Sequence, residues 1–176
     1  KLGDDNGYHF INMLKNYTQV DVIKDNNLDG LMKKLEPYNQ VIIGFHKSNK
    51  HPWKSYKFKD KDLVWLQEIS REKEVILDVF TSPYSLLQIK SFENIESVIV
   101  SYQNRKLAQE LSAQSIFGVF ALSGKLPVSI KNEFKVGDGF NSYSLSRLEY
   151  SIPEDVNMSS KKLAEIDAYA DTILEK

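Results

Sequence analysis

The chain has 176 residues, enough for a domain whose core needs no covalent staples. A formal net charge of −1 gives no electrostatic footprint for nucleic acid or an anionic membrane, and no apolar run approaches the roughly 20 residues of a membrane span. The absence of cysteine excludes disulfides, thiolate metal sites and a cysteine nucleophile, and leaves the redox compartment open.

In chain order, Phe10, Met13, Leu14 and Tyr17 recur at three- and four-residue spacing and predict a first amphipathic helix. Val20-Asp21-Val22-Ile23 reads as a short strand, and Leu28, Leu31, Met32 and Leu35 as a second helix stopped at Glu36-Pro37. Val41-Ile42-Ile43-Gly44-Phe45 is a continuous apolar run, as in a strand buried on both faces. A basic, aromatic loop runs from His46 to about Lys59. A third helix carries Leu63, Trp65, Leu66 and Ile69, with Asp60 or Asp62 available as its cap.

The second buried strand is Glu74-Val75-Ile76-Leu77-Asp78-Val79-Phe80. Thr81-Ser82-Pro83-Tyr84 turns into a helix with Leu86, Leu87 and Ile89, Pro83 being pre-set for its first turn. Ile95 to Val100 is a further strand and Arg105 to Phe117 a further helix, stopped at Gly118. Strands and helices alternating through short connections predict a doubly wound α/β domain with a mostly parallel sheet and helices on both faces. The first strand is expected to be cut to its last residues, with Gly3-Asp4 just past its end. An edge strand is expected near 125–130, because Pro127 lacks a ladder donor.

From about Asn132 the pattern weakens. Phe134, Val136, Phe140 and Tyr143 lie among glycines and serines, as in a strap laid over a surface. Ser151-Ile152-Pro153-Glu154-Asp155 reads as a linker, and Ser159 as the cap of a last helix with Leu163, Ile166, Ala170 and Ile173 on one face. The expected organisation is a domain over 1–150, then a linker and the first helix of a truncated module over 151–176.

Several motif matches have plain structural readings. Gly118…Gly124-Lys125 has five residues between its glycines, has Leu126 after the lysine and follows a helix, so it lacks the context of a phosphate loop. Ser159-Ser160-Lys161-Lys162 satisfies S-x-x-K, but the partner motifs of that chemistry are missing and Ser159 suits a helix cap. His46 stands at the carboxyl end of an expected central strand, where open α/β sheets place ligands, and Lys47, Lys50, His51, Trp53 and Tyr56 follow it. His46 and Trp53 are therefore the candidate substrate-binding residues. His46 and His51 have no acidic ligand alongside, so neither a metal nor a cofactor is expected. Asp4-Asp5, Asp60/Asp62 and Glu72/Glu74 are the carboxylate pairs, each placed where a cap or an exposed turn puts it, so no catalytic residue is assigned.

The order of several segments resembles the C-terminal α/β domain of glycoside hydrolase family 3. They are Gly3-Asp4, Val41-Ile42-Ile43-Gly44, Ser82-Pro83-Tyr84-Ser85-Leu86 (with Ser82 where the family's element more often has asparagine), Val98-Ile99-Val100-Ser101-Tyr102, Ala113 to Ile130, and Phe134-Lys135-Val136-Gly137-Asp138-Gly139. The tail, Ile152-Pro153-Glu154-Asp155-Val156-Asn157-Met158 and then Leu163-Ala164-Glu165-Ile166-Asp167, is similar to the junction in bacterial β-N-acetylglucosaminidases of that family fused to a β-lactamase-type domain. The resemblance implies a non-catalytic domain of an exported β-N-acetylhexosaminidase. Its partner would be an N-terminal catalytic barrel in the same protein, and the loop after His46 would shape access for a carbohydrate substrate. The nucleophile and acid/base groups of such enzymes belong to the barrel, so none maps onto a residue here. Two other readings stand beside it: a stand-alone flavodoxin-like module binding a small ligand at the strand carboxyl ends, and a pure interaction scaffold.

Overall fold

The computed structural model describes residues 2–3, 6–48, 50–51, 55–131 and 133–174. The chain separates into two units, Lys1–Ser146 and Arg147–Lys176. In the first, the elements in chain order are β1 (Leu2–Gly3), α1 (Tyr8–Lys15), α2 (Leu28–Leu35), β2 (Gln40–His46), α3 (Asp60–Glu72), β3 (Glu74–Phe80), a 3-10 turn at Pro83–Gln88, β4 (Ile95–Val100) and α4 (Lys106–Ile116). The four strands form one parallel sheet in the order β1-β2-β3-β4. The α/β architecture with helices on both faces is therefore as the sequence predicts.

Strand periodicity explains how the two faces are covered. Successive side chains of a strand point to opposite faces. Ile43, Phe45, Val75, Leu77 and Val79 pack with Leu31 and Leu35 of α2 and Leu66 and Ile69 of α3. Phe80, one step out of phase, packs instead with Phe10 and Leu14 of α1 and Ala113 of α4, and Ile42 leans on that cluster. A strand flanked by two such layers is apolar almost throughout, which is why Val41 to Phe45 of β2 reads as an unbroken hydrophobic run and Val75 to Phe80 of β3 as one interrupted only by Asp78.

The helix ends follow local chemistry. The Asn27 side chain accepts the Gly30 amide at 2.7 Å and caps α2. At α3 the cap position is Lys59, with no side-chain bond, so the expected cap from Asp60 or Asp62 is corrected. Both aspartates lie inside the first turn, where negative charge meets the positive end of the helix. Helix α4 stops where Gly118 was expected to stop it. That glycine has φ +76°, its amide donates to the Ser115 carbonyl, and the Val119 amide donates to that of Gln114, satisfying the last carbonyls.

Three expected elements take other forms. Val20-Asp21-Val22-Ile23 joins no ladder. It belongs to the connection that carries the chain from α1 on one face to α2 on the other. The Tyr38 hydroxyl donates to Asp21 at 2.7 Å, and Lys34 holds Asp25 at 2.9 Å, fixing this connection against α2 and its end. The helix expected after Pro83 is a 3-10 turn, whose eclipsed i, i+3 geometry puts both Leu86 and Ile89 into the core. The segment expected as an edge strand near 125–130 lies outside the sheet. Its backbone is satisfied by the strap: Leu126 donates to Asp138 and accepts from Gly137, and Ile130 donates to Phe134 at 2.8 Å.

In the second unit, the Glu154 carboxylate accepts the Ser160 amide and hydroxyl, both at 2.7 Å, at the start of α5 (Ser160–Leu174). Ser159 accepts the Lys162 amide at 3.3 Å, the capping role expected of it. Ile166, Tyr169 and Ile173 are exposed. No helix among the described residues is long and apolar enough to cross a membrane.

Ile130, fully buried, pins the strap, whereas Val136 on the same strap is exposed. Urea denaturation is expected to show Ile130→Ala losing about 2–5 kcal/mol. Val136→Ala is expected to stay within about 0.5 kcal/mol of the parent.

Candidate functional site

At and near the carboxyl ends of β2, β3 and β4 several buried polar residues come together. His46 ends β2, Asp78 and Phe80 lie on β3, Ser101 follows β4, and Asn104 leads into α4, which contributes Gln109 and Ser112. Asn6, just before α1, closes the group from the other end of the chain.

His46 is 1% exposed. Its ring stacks on Phe80 at 4.4 Å between centroids and meets the edge of Phe10 at 5.9 Å. Gln109 Nε2 donates to Asn104 Oδ1 at 2.7 Å, which identifies that atom as an acceptor. His46 Nδ1, 2.8 Å from the same oxygen, therefore carries the proton and donates. Asn104 and Gln109 both donate to the Asn6 carbonyl, and Gln109 Oε1 accepts the Phe10 amide at 3.0 Å. A Cβ at Gly7 or at Gly44 would come within 2.5 Å of His46 Nε2, so two glycines make room for this ring. The network ties the turn before α1 to the start of α4 and fills the strand ends with the protein's own side chains.

Asp78 is buried at the middle of the sheet, opposite Gly44 on one side and Ile99 on the other. Ser101 donates to its Oδ1 at 2.8 Å and Ser112 to its Oδ2. Loss of water raises its pKa to about 7; the two serine hydroxyls and the Val79 amide oppose this but do not cancel it. The sequence offered one signal for this group, a lone aspartate inside an otherwise apolar strand, which carboxylate pairing does not mark.

The sequence-predicted residues fall in different places. His46 joins the buried network, facing Phe80 and Phe10. Trp53 lies outside the described residues, as does the pair Asp4-Asp5. Lys47 is buried, with its ammonium 6.0 Å from the Phe45 ring, while His51 and Tyr56 are exposed. Phe58 turns inward and stacks on Phe45, its amide donating to Gln88 at 2.8 Å. Glu72 and Glu74 are both exposed. Among the described residues no cluster of His, Asp or Glu could hold a metal ion.

Two cavities lie beside the sheet, and the one beside β2 also touches Gly44 and His46 at that strand's carboxyl end. One of about 720 Å³ runs beside β4 under the strap, lined by Phe92, Phe134 and Phe140 with Glu93, Glu96 and Glu133. The other, about 780 Å³, lies beside β2 and is lined by Phe10, Leu31, Ile42 and Phe117 among others.

Asp78 makes stability depend on pH in a defined direction. Its pKa is about 7 in the fold against 3.8 for a free carboxylate, so between those values the native state holds the extra proton. Stability from this group is complete below about pH 4 and falls by up to about 1.4 kcal/mol per pH unit until pH reaches about 7. Asp78→Asn removes that slope. Urea denaturation from pH 4.5 to 8 is expected to show the variant gaining on the parent as pH rises; parallel curves would refute the assignment.

No family model, curated protein or solved structure matches this chain.

Proposed function

We propose that the chain is a non-catalytic α/β companion domain of the glycoside hydrolase family 3 type, its parent being an exported β-N-acetylhexosaminidase. The observation that carries this reading over the small-ligand alternative is the state of the strand carboxyl ends. In an open α/β sheet they are the usual ligand crevice. Here His46, Asn104 and Gln109 close that region on the Asn6 carbonyl.

A second feature agrees with a supporting role. The strap exposes Phe140 and Tyr143, 87% and 85% accessible, together with Val136 and Leu145. Apolar side chains grouped on an irregular surface segment suit contact with a second folded body. In this reading the catalytic barrel covers them, and the loop that begins at Lys47 and includes Trp53 borders the barrel's carbohydrate site. His46 contributes from beneath, by fixing the start of that loop. The carboxylates, nucleophile and acid of the reaction are the barrel's, because glycoside hydrolysis needs two positioned groups and the buried Asp78 is held by serines.

The test is hydrolysis of a chromogenic N-acetylglucosaminide by this chain alone and by the complete gene product that contains it. Turnover is expected only in the complete product. There, Phe140→Asp combined with Tyr143→Asp is expected to lower activity at least tenfold or to release the barrel contact, read as a lower thermal midpoint. Turnover by this chain alone would overturn the proposal.

A further inference from the structure

Strand β4 lies at one edge of the sheet. Among the described residues its ladder partner is β3 alone, and neither α4 nor the strap that follows adds a strand beside it. Exposed edges are commonly guarded by lysine or proline. Ile95–Val100 has neither, and its one charge is Glu96, near the start.

Backbone direction shows what that edge presents. In a parallel ladder, alternate residues turn both their amide and their carbonyl to the same neighbour. The Ser101 amide donates to the Val79 carbonyl of β3 at 2.9 Å, which assigns Ile99 and Ser101 to the β3 side. Val98 and Val100 consequently direct their backbone groups outward, where no described residue bonds them. Both valines line the cavity of about 720 Å³ beside this edge, whereas Ile99 does not.

The cavity is apolar along these valines, because Leu126 and Phe134 of the strap pack on the same cluster as they do. Its rim is acidic near the start of β4. Phe92 meets the edge of Phe134 at 5.0 Å between centroids, which sets Glu93 and Glu133, each next in sequence to one ring, on the same part of the rim; Glu96 follows on β4. All three glutamates are exposed, and none forms an ion pair with a described cation. No described lysine or arginine lines the cavity. Two lysines of the strap are engaged elsewhere, Lys125 donating to the Gly139 carbonyl and Lys131 to that of Ile89. Carboxylates grouped in this way favour a cationic occupant. They disfavour a second copy of β4, which would bring its own Glu93 and Glu96 against them.

We propose that this edge accepts an extended peptide segment of a partner protein, bonded through its backbone to Val98 and Val100. Its apolar side chains lie under the strap, and lysine or arginine occupies the end beside Phe92 and Phe134. Strand addition of this kind draws affinity from main-chain bonds and specificity from alternate side chains. Seven extended residues span about 23 Å, slightly more than the six of β4. This docking requires no part in glycoside hydrolysis.

The experiment titrates the whole chain with two heptapeptides, Lys-Arg-Lys-Val-Ser-Val-Ser and its reverse Ser-Val-Ser-Val-Lys-Arg-Lys, one for each strand direction, and follows amide hydrogen exchange by NMR. Counterparts with glutamate at every basic position are the controls. One basic peptide is expected to slow exchange at Val98 and Val100 at least tenfold beyond any change at Ile99 and Ser101, whose amides face β3. Combining Glu93→Gln, Glu96→Gln and Glu133→Gln is expected to weaken that peptide at least fivefold without moving the thermal midpoint, since all three side chains are exposed. Unchanged exchange at Val98 and Val100 with both basic peptides would overturn the proposal, as would equal binding of the acidic controls. Protection in the peptide-free chain that grows with protein concentration would also overturn it, because a second copy would then fill the edge.

Discussion

A parallel strand must satisfy its backbone on both edges and bury both faces, and β3 is the strand through which this molecule meets that demand. It pairs with β2 along its full length and with β4 from Val75 onward. Val75, Leu77, Val79 and Phe80 are fully buried, three toward α2 and α3 and the last toward α1 and α4. Each layer is therefore anchored to one strand. The helices stay where they are because leaving would expose a continuous apolar surface, at about 25 cal/mol for each square ångström returned to water.

The same strand carries Asp78, a fully buried carboxyl group. An aspartate at such a position costs free energy unless it is protonated or well bonded, and Asp78 has both routes open near neutral pH. Ser101 and Ser112 reach it from the end of β4 and from α4, so the carboxyl joins two elements that apolar contact alone would join less specifically. The His46–Asn104–Gln109–Asn6 network does the same at the strand ends. Both networks lie on the face covered by α1 and α4, where the buried apolar cluster is the smaller of the two.

How much was legible follows the physics of each signal. The runs Val41 to Phe45 and Val75 to Phe80 announced buried strands because burial on two faces removes polar alternation, Asp78 being the one polar position in them. The stop at Gly118 was legible because an αL cap has a local cause. The segment 125–130 misled, since an apolar run with a proline looks the same whether it joins a sheet or folds back on a strap; the deciding bonds, from Asp138 and Phe134, are set by later residues. Val20-Asp21-Val22-Ile23 misled for a similar reason, the tether of Asp21 to Tyr38 and that of the following Asp25 to Lys34 being invisible in periodicity. At the candidate site, His46 was found by its place at a strand end, but its hydrogen-bond partner Asn104 lies 58 residues away and no spacing rule joins them. Asp78 was visible only as one polar letter in an apolar word.

The unreversed strand order has a kinetic consequence. Neighbouring strands are also neighbours in sequence, so Gln40 need find only Glu74, and Val75 only Ile95, for the sheet to grow. Contacts of α1 with α4 belong to another class. The bond from Gln109 to the Asn6 carbonyl closes a loop spanning 103 residues, and that of Gln109 with Phe10 one of 99. Loop entropy rises with the logarithm of length, and folding rates fall as contacts become less local. Closing α1 against α4 is thus the step with the largest search, and the buried amides at that junction ensure that an imperfect closure leaves polar groups without partners.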